Sequence, residues 1–468
     1  MNRRNTVRIF HQQRKTRYIF FSLPFFFIGI VPARADIITD WNTIVAQVLR
    51  ADSTLPGPTY GSRTFAMVHL AIYDAVNAIH RTHQPYLLNA TAEEGTSVET
   101  AVSQAAHDVL VSIYPAQAGT LDAALATHLD AIPDGPSKTA GVALGQSAAE
   151  VLIRTRSVDN AFDNEGPIPD GTLPGQWRRT PPDFTDALGP YWGSVHPFVI
   201  RSGPQFRPPM QPDLTSPEYA AAFNEVKEIG ELNSSTRTAE QTEIGIFWGY
   251  DRGGMGPPPI FYNQIVQVVA ANQGNSVQEN ARLFALVNAA QADGGILCWE
   301  GKYLYDFWRP ITAIRLADQD DNDATVADPN WEPLGAPGGG VVPNFTPPFP
   351  AYTSGHATFG AATFRILENY YGRDDISFTV GSDELPGMTR TFSSFSQAAE
   401  ENGQSRIYLG IHWSFDKVFA IQSGRRVADF VYHNILKPLP NADLNGDGKI
   451  DGKDLILFQE GWYNKRGN

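Results

Sequence analysis

Residues 353–367, TSGHATFGAATFRIL, are the stretch that decides the expected fold. Apolar residues continue through it as a helical run, and Ser354 stands where such a helix would begin. Gly355 lets a ligand come close to the backbone amides at this helix start, where the helix dipole favours negative charge. The stretch therefore predicts a helix with an anion site at its N-terminus and with His356 beside that site.

Helical spacing of apolar residues recurs along most of the chain, while clean strand alternation is scarce. The predicted helices cover residues 62–79, 100–113, 121–132, 140–153, 217–232, 260–271 and 278–292. Two long stretches, 164–216 and 318–352, are rich in Pro and Gly instead, and irregular segments of this length tend to be functional. The sequence therefore predicts an all-α protein of helix bundles, with the second irregular stretch leading directly into the helix start at Ser354.

The first 35 residues have the order of a secretory signal peptide. A basic start precedes an almost wholly apolar run over residues 18–31, and Ala33-Arg34-Ala35 places small residues where signal peptidase recognises them. The run is too short to span a bilayer comfortably, and Pro24 interrupts it. We therefore expect cleavage after Ala35 and a secreted, extracytoplasmic protein without membrane contact, rather than a membrane-anchored one.

Charge and cysteine content limit the partners that the chain can have. The 468 residues include 36 basic and 50 acidic ones. Removing the 7 basic residues of the predicted signal peptide leaves 29 basic residues against 50 acidic ones, a net charge of −21. Such a surface repels nucleic acid and anionic lipid, so an anion site must be made locally by clustered cations. Cys298 is the only cysteine in the sequence, which excludes an internal disulfide and predicts a buried thiol.

Three segments supply the residue types that a local anion site needs. They are Lys302-x6-Arg309-Pro310, Ser354-Gly355-His356 and Ser405-Arg406-x5-His412-x3-Asp416. One lysine and two arginines are the donors that bind a tetrahedral or trigonal oxyanion. The two histidines can act as acid, base, nucleophile or ligand.

The last two residues of the third segment have a spacing of their own. His412 and Asp416 are four residues apart, so we expect them to share one face of a helix. Asp416 would then accept a hydrogen bond from one ring nitrogen and leave the other free to bond the central atom of the anion. Taken singly, each residue fits a surface charge, a core histidine or a helix cap, but three ordered segments favour one site.

These three segments resemble the signature K-x6-RP, PSGH and SR-x5-H-x3-D of the superfamily that joins vanadium haloperoxidases with type 2 phosphatidic acid phosphatases. The resemblance is strong over roughly residues 294–431, and residues 62–79 are similar to the first helix of bacterial members. Thr353 stands where the family usually has proline. The resemblance implies a helical haloperoxidase-like fold and a vanadate cofactor.

The resemblance also implies a role for each signature residue. The oxygens of the anion would be bound by Lys302, Arg309, Arg406, the Ser354 hydroxyl and the Gly355 amide. His356 would be the acid–base group beside the apical oxygen. His412 would bond the vanadium, or attack phosphorus in a phosphatase, and Asp416 would orient it.

Vanadate and phosphate share charge and shape, so the same residues would serve two reactions. One is oxidation of halide by hydrogen peroxide, and the alternative is an acid phosphatase with a phosphohistidine intermediate. Phe307-Trp308 and the sequence FPAY at 349–352 resemble haloperoxidases, and the chain lacks the several apolar spans of membrane phosphatases after residue 35. Phe349 resembles an aromatic position of chloroperoxidases. We therefore expect bromide oxidation and, as a further expectation, chloride oxidation.

The sequence DLNGDGKIDGKD at 443–454 forms a second motif, which resembles one repeat of a dockerin. It has the spacing of an EF-hand-like calcium loop with Gly448 at the sharp turn, followed by a helix. The predicted calcium ligands are Asp443, Asn445, Asp447, Lys449, Asp451 and Asp454. A dockerin has two repeats and this tail has one, which disfavours a cohesin-like or cell-surface partner.

These patterns divide the chain into three expected parts. They are a signal peptide over residues 1–35, a helical domain over 36–438 and a calcium-binding segment over 441–463. The tail also leaves one alternative of another class, a calcium-stabilised attachment or binding protein with an inactive helical domain. The intact set of three signature segments argues against that alternative.

Overall fold

The computed structural model describes residues 36–52, 57–162, 166–339, 343–440 and 452–465. Within these ranges the chain forms 14 α-helices and one two-stranded antiparallel sheet. The helices are α1 (Ile37–Ala51), α2 (Pro58–His80), α3 (Val98–Ile113), α4 (Ala118–Asp130), α5 (Pro136–Arg156), α6 (Pro217–Ile229), α7 (Ala239–Phe247), α8 (Pro258–Gln273), α9 (Val277–Tyr305), α10 (Pro310–Arg315), α11 (Gly355–Tyr371), α12 (Phe395–Tyr408), α13 (Ser414–Asn434) and α14 (Gly452–Lys465). The strands are β1 (Phe378–Ser382) and β2 (Leu385–Phe392).

The central helix of the fold is α9, which packs against α2, α11 and α13. Ser276 and Glu279 form a capping box at its start, and Asp306 ends it in the left-handed region with φ of 48°. A Cβ atom added at Gly295 would lie 3.0 Å from the ring of Phe359, so this glycine allows α9 and α11 to approach closely. The close approach brings the last turn of α9 beside the first turn of α11.

The expected all-α class is confirmed, and each helix predicted from periodicity lies within or overlaps an observed one. The structure adds α1, α7, α10 and α12, and it extends α9 far beyond the predicted residue 292. It also adds the β1–β2 hairpin, which connects α11 to α12 and pairs Phe378 with Phe392. The described parts of the two Pro- and Gly-rich stretches contain only short 3-10 turns, as their composition predicts.

Two of the sequence predictions fall largely on residues outside the described ranges. The signal peptide lies wholly outside them, as do Asp443, Asn445, Asp447, Lys449 and Asp451 of the calcium loop. Asp454 is described, and it is buried in the first turn of α14. No helix in the described ranges combines the length and the hydropathy that crossing a bilayer requires. The calcium segment, the signal peptide and the domain bounds therefore stay predictions.

Candidate active site

The three signature segments meet at the ends of five helices, α9 to α13. Lys302 lies in the last turn of α9, Ser354 caps α11 and Arg406 lies in the last turn of α12. All eight signature residues named above are buried, and none is exposed by more than 6%. A small cavity at this point is lined by Pro58, Asp251, Pro258, Trp299, Pro347, Phe349, Gly355, His356, Phe359, Arg406 and His412. The structure thus brings the predicted residues into one site.

Lys302 and Arg309 anchor the irregular segment that precedes α11. The Lys302 ammonium donates to the carbonyl oxygens of Pro350 and Ala351 at 2.8 and 3.0 Å, and Arg309 Nε donates to that of Phe349 at 2.7 Å. These carbonyls belong to no helix or strand, so the two cations satisfy backbone acceptors that would otherwise be buried alone. The cations consequently fix the wall of the site as well as its charge.

The protein offsets only part of the cost of burying these cations. Burial lowers the pKa of Lys302 to about 7 and that of Arg309 to about 9, and Arg309 is one further cause for Lys302. Among the described residues, no hydrogen-bond partner is found for Arg309 Nη2 or for Arg406 Nε and Nη1. Three buried donors with positive charge and no acceptor fit a bound oxyanion, which would supply both acceptors and countercharge.

His412 is held in one tautomer by Asp416. Its Nδ1 donates to Asp416 Oδ2 at 2.8 Å, and the same oxygen accepts from the Trp413 amide at 3.2 Å. Burial, together with the charge of Arg309, holds the pKa of His412 well below its usual value, so the ring is neutral. Nε2 therefore keeps its lone pair, which accepts from Arg309 Nη1 at 3.1 Å. This is the nitrogen that a metal ligand requires.

The prediction that His412 and Asp416 share one face of a helix is wrong in one respect. Helix α13 begins at Ser414, so His412 precedes the helix and only Asp416 lies in its first turn. The hydrogen bond forms nevertheless, because Asp416 caps the helix start and its carboxylate faces back toward the residues before it.

His356 lies in the first turn of α11 and is also neutral. Burial, together with the nearby charge of Arg406, lowers its pKa to about 4. Nε2 donates to the Gly249 carbonyl at 2.7 Å, which leaves Nδ1 as the basic nitrogen of the neutral ring. His356 thus has the protonation state of a general base, with the donor nitrogen fixed by a loop outside the signature segments.

Ser354 caps α11, as its position predicts, and its hydroxyl group can still donate a hydrogen bond. Its hydroxyl oxygen accepts from the Ala357 amide at 3.4 Å, and the hydroxyl proton remains available to a ligand. Thr353, which replaces the family's proline, is buried, and its carbonyl accepts from the Cys298 thiol at 3.4 Å. Cys298 is buried and unpaired with another cysteine, as predicted.

Phe349 lies against the two cations of the first segment. Its ring centroid is 4.9 Å from Lys302 Nζ and 4.8 Å from Arg309 Cζ, and 5.0 Å from the ring centroid of Trp299. These distances are typical of cation–π contacts, which are strongest where water is excluded. The structure therefore places Phe349 in the wall of the site, beside an aromatic residue, Trp299, that the sequence patterns did not single out.

Asp251 is a second site residue that the sequence analysis missed. It forms an ion pair with Arg406, and its Oδ2 atom lies 3.8 Å from His356 Nε2. It belongs to the sequence WGYDRGGMG at 248–256, where the glycines indicate a turn and nothing indicates an ionic contact. Only the fold brings this loop to the signature segments.

A larger cavity of about 350 Å³ adjoins the site and shares Pro58, Asp251, Pro258, Pro347 and Phe349 with it. Most of its further lining is apolar or glycine, including Leu49, Leu188 and Pro348. The Pro-rich segment before α11 thus separates the cations on one side from this apolar space on the other.

Comparison with known proteins decides the family. The second helical-bundle domain of VCPO, as a family model, matches residues 282–440. The vanadium chloroperoxidase of Curvularia inaequalis is 30% identical over 533 aligned positions, which cover 90% of this chain and 83% of that protein. The chain belongs to the vanadium haloperoxidase family.

Solved structures of vanadium haloperoxidases share the fold. A bacterial vanadium-dependent iodoperoxidase superposes with a TM-score of 0.73 at 25% identity, covering 86% of this chain and 97% of that one. A bacterial vanadium-dependent chloroperoxidase in its holo form gives 0.63 at 17% identity, covering 83% and 95%. Membership makes the protein a vanadium haloperoxidase enzyme that oxidises halide with hydrogen peroxide and uses vanadate.

The residues present fit vanadate as the cofactor of this haloperoxidase. The donors without partners on Arg309 and Arg406 would meet the oxygens of the anion, and the lone pair of His412 would meet its metal. Both histidines are neutral, so the positive charge of the site comes from Lys302, Arg309 and Arg406. This donor set matches an oxyanion of a metal better than it matches a bare cation.

Proposed function

We propose that the protein is a secreted haloperoxidase that oxidises bromide, and chloride as well, to the hypohalous acid. The observation that carries the proposal is the set of buried donors without partners on Arg309 and Arg406, placed beside the Nε2 lone pair of His412. Vanadate, when bound there, supplies a Lewis acid that makes the oxygens of hydrogen peroxide electrophilic.

The chain's own residues have three tasks in this reaction. The negative oxygens of the anion would be bound by Lys302, Arg309, Arg406, the Ser354 hydroxyl and the Gly355 amide. Since the site is buried, these cations act with little screening by water. Lys302 and Arg309 do not have to change position during the reaction, because the carbonyls of residues 349–351 already fix them.

The histidines divide the remaining work. His412 would hold the vanadium through Nε2, and Asp416 keeps the proton of the ring on Nδ1, so that Nε2 stays available. His356 accepts and returns a proton at Nδ1, while its Nε2–H remains bonded to the Gly249 carbonyl. A ring that is neutral above about pH 4 is ready to accept the proton of incoming hydrogen peroxide.

The environment of Phe349 supports chloride oxidation beside bromide oxidation. A phenyl ring between Lys302 and Arg309 donates no strong hydrogen bond and excludes water from both cations. The cations then withdraw more electron density from bound oxygens. Chloride is harder to oxidise than bromide, so it needs the more electrophilic oxygen.

Secretion and calcium binding complete the proposal. The basic, apolar and Ala-x-Ala order of residues 1–35 supports export, with a mature N-terminus near Asp36. The spacing of residues 443–454, which follow Pro438 and Pro440 in the chain, supports one calcium ion in the C-terminal segment. Mass spectrometry of the secreted chain tests the first point, since a retained Met1 would contradict export.

The experiment that tests the catalytic proposal compares two activities in one preparation. The protein is purified without phosphate and loaded with orthovanadate, and bromination and chlorination with hydrogen peroxide are measured beside phosphate ester hydrolysis. We expect halogenation that depends on vanadate and that free phosphate inhibits. Ester hydrolysis without any bromination would contradict the proposal and favour the phosphatase.

A further inference from the structure

The loop between α7 and α8 reaches the active site from outside the signature segments. Its residue Gly249 accepts the hydrogen bond of His356 Nε2 at 2.7 Å, and Asp251 forms the ion pair with Arg406. The loop therefore contacts both the acid–base histidine and one of the arginines with unpaired donors. Whatever fixes this loop also fixes the direction of these two side chains.

Glu384, at the turn of the β1–β2 hairpin, holds the loop on both sides of Asp251. Its Oε1 atom accepts from the Tyr250 amide at 3.0 Å, and Oε2 accepts from Arg252 Nε at 3.0 Å. The Glu384 side chain is only 1% exposed, so these bonds form in a low dielectric, where they are strong. One carboxylate thus binds the residue before Asp251 and the residue after it.

The backbone of the loop is in a conformation that needs such support. Tyr250 has φ of 55°, in the left-handed region, which costs a residue with a Cβ atom of order 1 kcal/mol or more. Its ring stacks on Phe261, and its hydroxyl accepts from the Asp383 amide at 2.9 Å. Left-handed residues that their surroundings hold in place are typical of functional sites.

We propose that Glu384 is a positioning residue of the vanadate site. It fixes Asp251 through Tyr250 and Arg252, and Asp251 in turn orients the guanidinium of Arg406. With one Arg406 nitrogen paired to Asp251, Nε and Nη1 are the two left without partners and available to the anion. The hairpin between α11 and α12 is therefore part of the machinery that prepares the site.

The test separates this role from a merely structural one by measuring vanadate affinity. Glu384→Gln keeps the size of the side chain and an acceptor for the Tyr250 amide, but it places an amide group against Arg252 and removes the charge. Orthovanadate is titrated by calorimetry into the phosphate-free, full-length protein. We expect the dissociation constant to rise about tenfold, the usual effect of losing a group that orients a metal site.

Asp74→Asn is the matched control. Asp74 is also a buried carboxylate that accepts loop amides, those of Tyr86, Leu87 and Leu88 at 2.7–2.8 Å, and it has no hydrogen bond to the loop at 249–252. This variant should lower the melting temperature and leave vanadate affinity within about twofold of wild type. Equal vanadate affinities in wild type, Glu384→Gln and Asp74→Asn would overturn the proposal.

A double-mutant cycle tests whether the effect passes through Asp251. In an Asp251→Ala background, Glu384→Gln should change the vanadate dissociation constant by less than about twofold, because the group that it positions is gone. A full, independent effect in that background would overturn the proposed route. If Glu384→Gln does not fold, Arg252→Met breaks the same ion pair from its more exposed side and should weaken vanadate binding. Wild type that binds no vanadate would instead overturn the cofactor site itself, and this proposal with it.

Discussion

Helix α9 contains one buried acidic side chain, Asp293, and one buried basic side chain, Lys302, whose surroundings differ in kind. The Asp293 carboxylate accepts the backbone amides of Phe198, Val199 and Ile200 at 2.6–2.8 Å. Lys302 is also hydrogen-bonded, but it lies in a cluster where nitrogens of Arg309 and Arg406 have no partner among the described residues. The hydrogen bonding around Asp293 is complete within the protein, whereas the donors around Lys302 need a ligand as their acceptor.

This contrast separates structural from functional polar groups better than burial does. Both side chains are completely buried, and burial shifts both pKa values, that of Asp293 up to about 6 and that of Lys302 down to about 7. A shifted pKa alone would therefore not distinguish them. The distinguishing feature is whether the donors and acceptors around each group are all used within the protein.

The largest expected effect comes from removing His412, the proposed metal ligand beside Lys302, Arg309 and Arg406. His412→Ala removes the nitrogen that bonds vanadium, so we expect halogenation to fall by more than about 100-fold, above the loss that follows from changing an outer partner. Circular dichroism should show an unchanged fold. Bromination that survives with unchanged vanadium content would show that His412 is not the ligand.

The contrast between Lys302 and Asp293 is tested directly by changing both. Lys302→Met should weaken vanadate binding at least about tenfold, because it removes a desolvated positive charge from the anion site. The melting temperature of the vanadate-free protein should fall as well, because the buried carbonyls of Pro350 and Ala351 lose their donor, although the variant no longer buries a charge. Calorimetry and thermal melts measure the two quantities on the same sample.

Asp293→Asn should lower the stability without changing vanadate binding. An amide group would face backbone donors where a carboxylate oxygen now accepts them, at a cost of about 1–3 kcal/mol in the free energy of unfolding. Vanadate affinity should stay unchanged, because no group of the anion site bonds to Asp293. Weaker vanadate binding in this variant, or unchanged vanadate binding in Lys302→Met, would remove the distinction between the two regions.

The same contrast shows what the sequence could predict. Each signature segment brings its functional groups together within twelve residues, so their spacing and the family resemblance predicted Lys302, Arg309, Ser354, His356 and His412. In the structure His356 and His412 line one cavity, and Lys302 and Arg309 bind the carbonyls of the segment that forms its wall. Asp251 and Glu384 were missed because they reach the site only through the α7–α8 loop and the hairpin turn, and tertiary contacts of this kind leave no periodic or spacing signal.

The fold shows a similar limit. The predicted end of α9 at residue 292 is 13 residues before the observed end at Tyr305. This helix is buried on nearly every side, so its second half has no polar face to mark a helical period, and Gly294-Gly295 looks like a break. In the structure Gly295 allows the close contact with α11 instead. Helix packing, which the sequence does not display, thus overrides the local preference.

A smaller effect is expected from changing Phe349, which lies in the wall of the anion site. Phe349→His would replace a water-excluding ring between Lys302 and Arg309 by one that donates hydrogen bonds. Chlorination should fall relative to bromination by about tenfold, which corresponds to about 1.4 kcal/mol. Phe345→His, in the adjoining cavity, is the control and should leave the ratio of the two rates unchanged. An unchanged ratio in Phe349→His would remove Phe349 from the halide argument.

The smallest effect on halogenation is expected from the C-terminal segment, which tests how far the anion site is independent of the rest of the chain. In Asp447→Ala, the predicted loop at 443–454 loses one of the carboxylates that offset the charge of calcium. Calorimetry of the full-length protein should show one calcium ion bound by wild type, with a dissociation constant on the order of 10⁻⁴–10⁻³ M as in extracellular modules, and weaker binding by the variant. Bromination should change by less than about twofold, because the donors of the vanadate site lie in α9–α13 and none comes from residues after 438. Wild type that takes up no calcium would refute the loop assignment, and lost bromination in Asp447→Ala would show that the two sites are coupled.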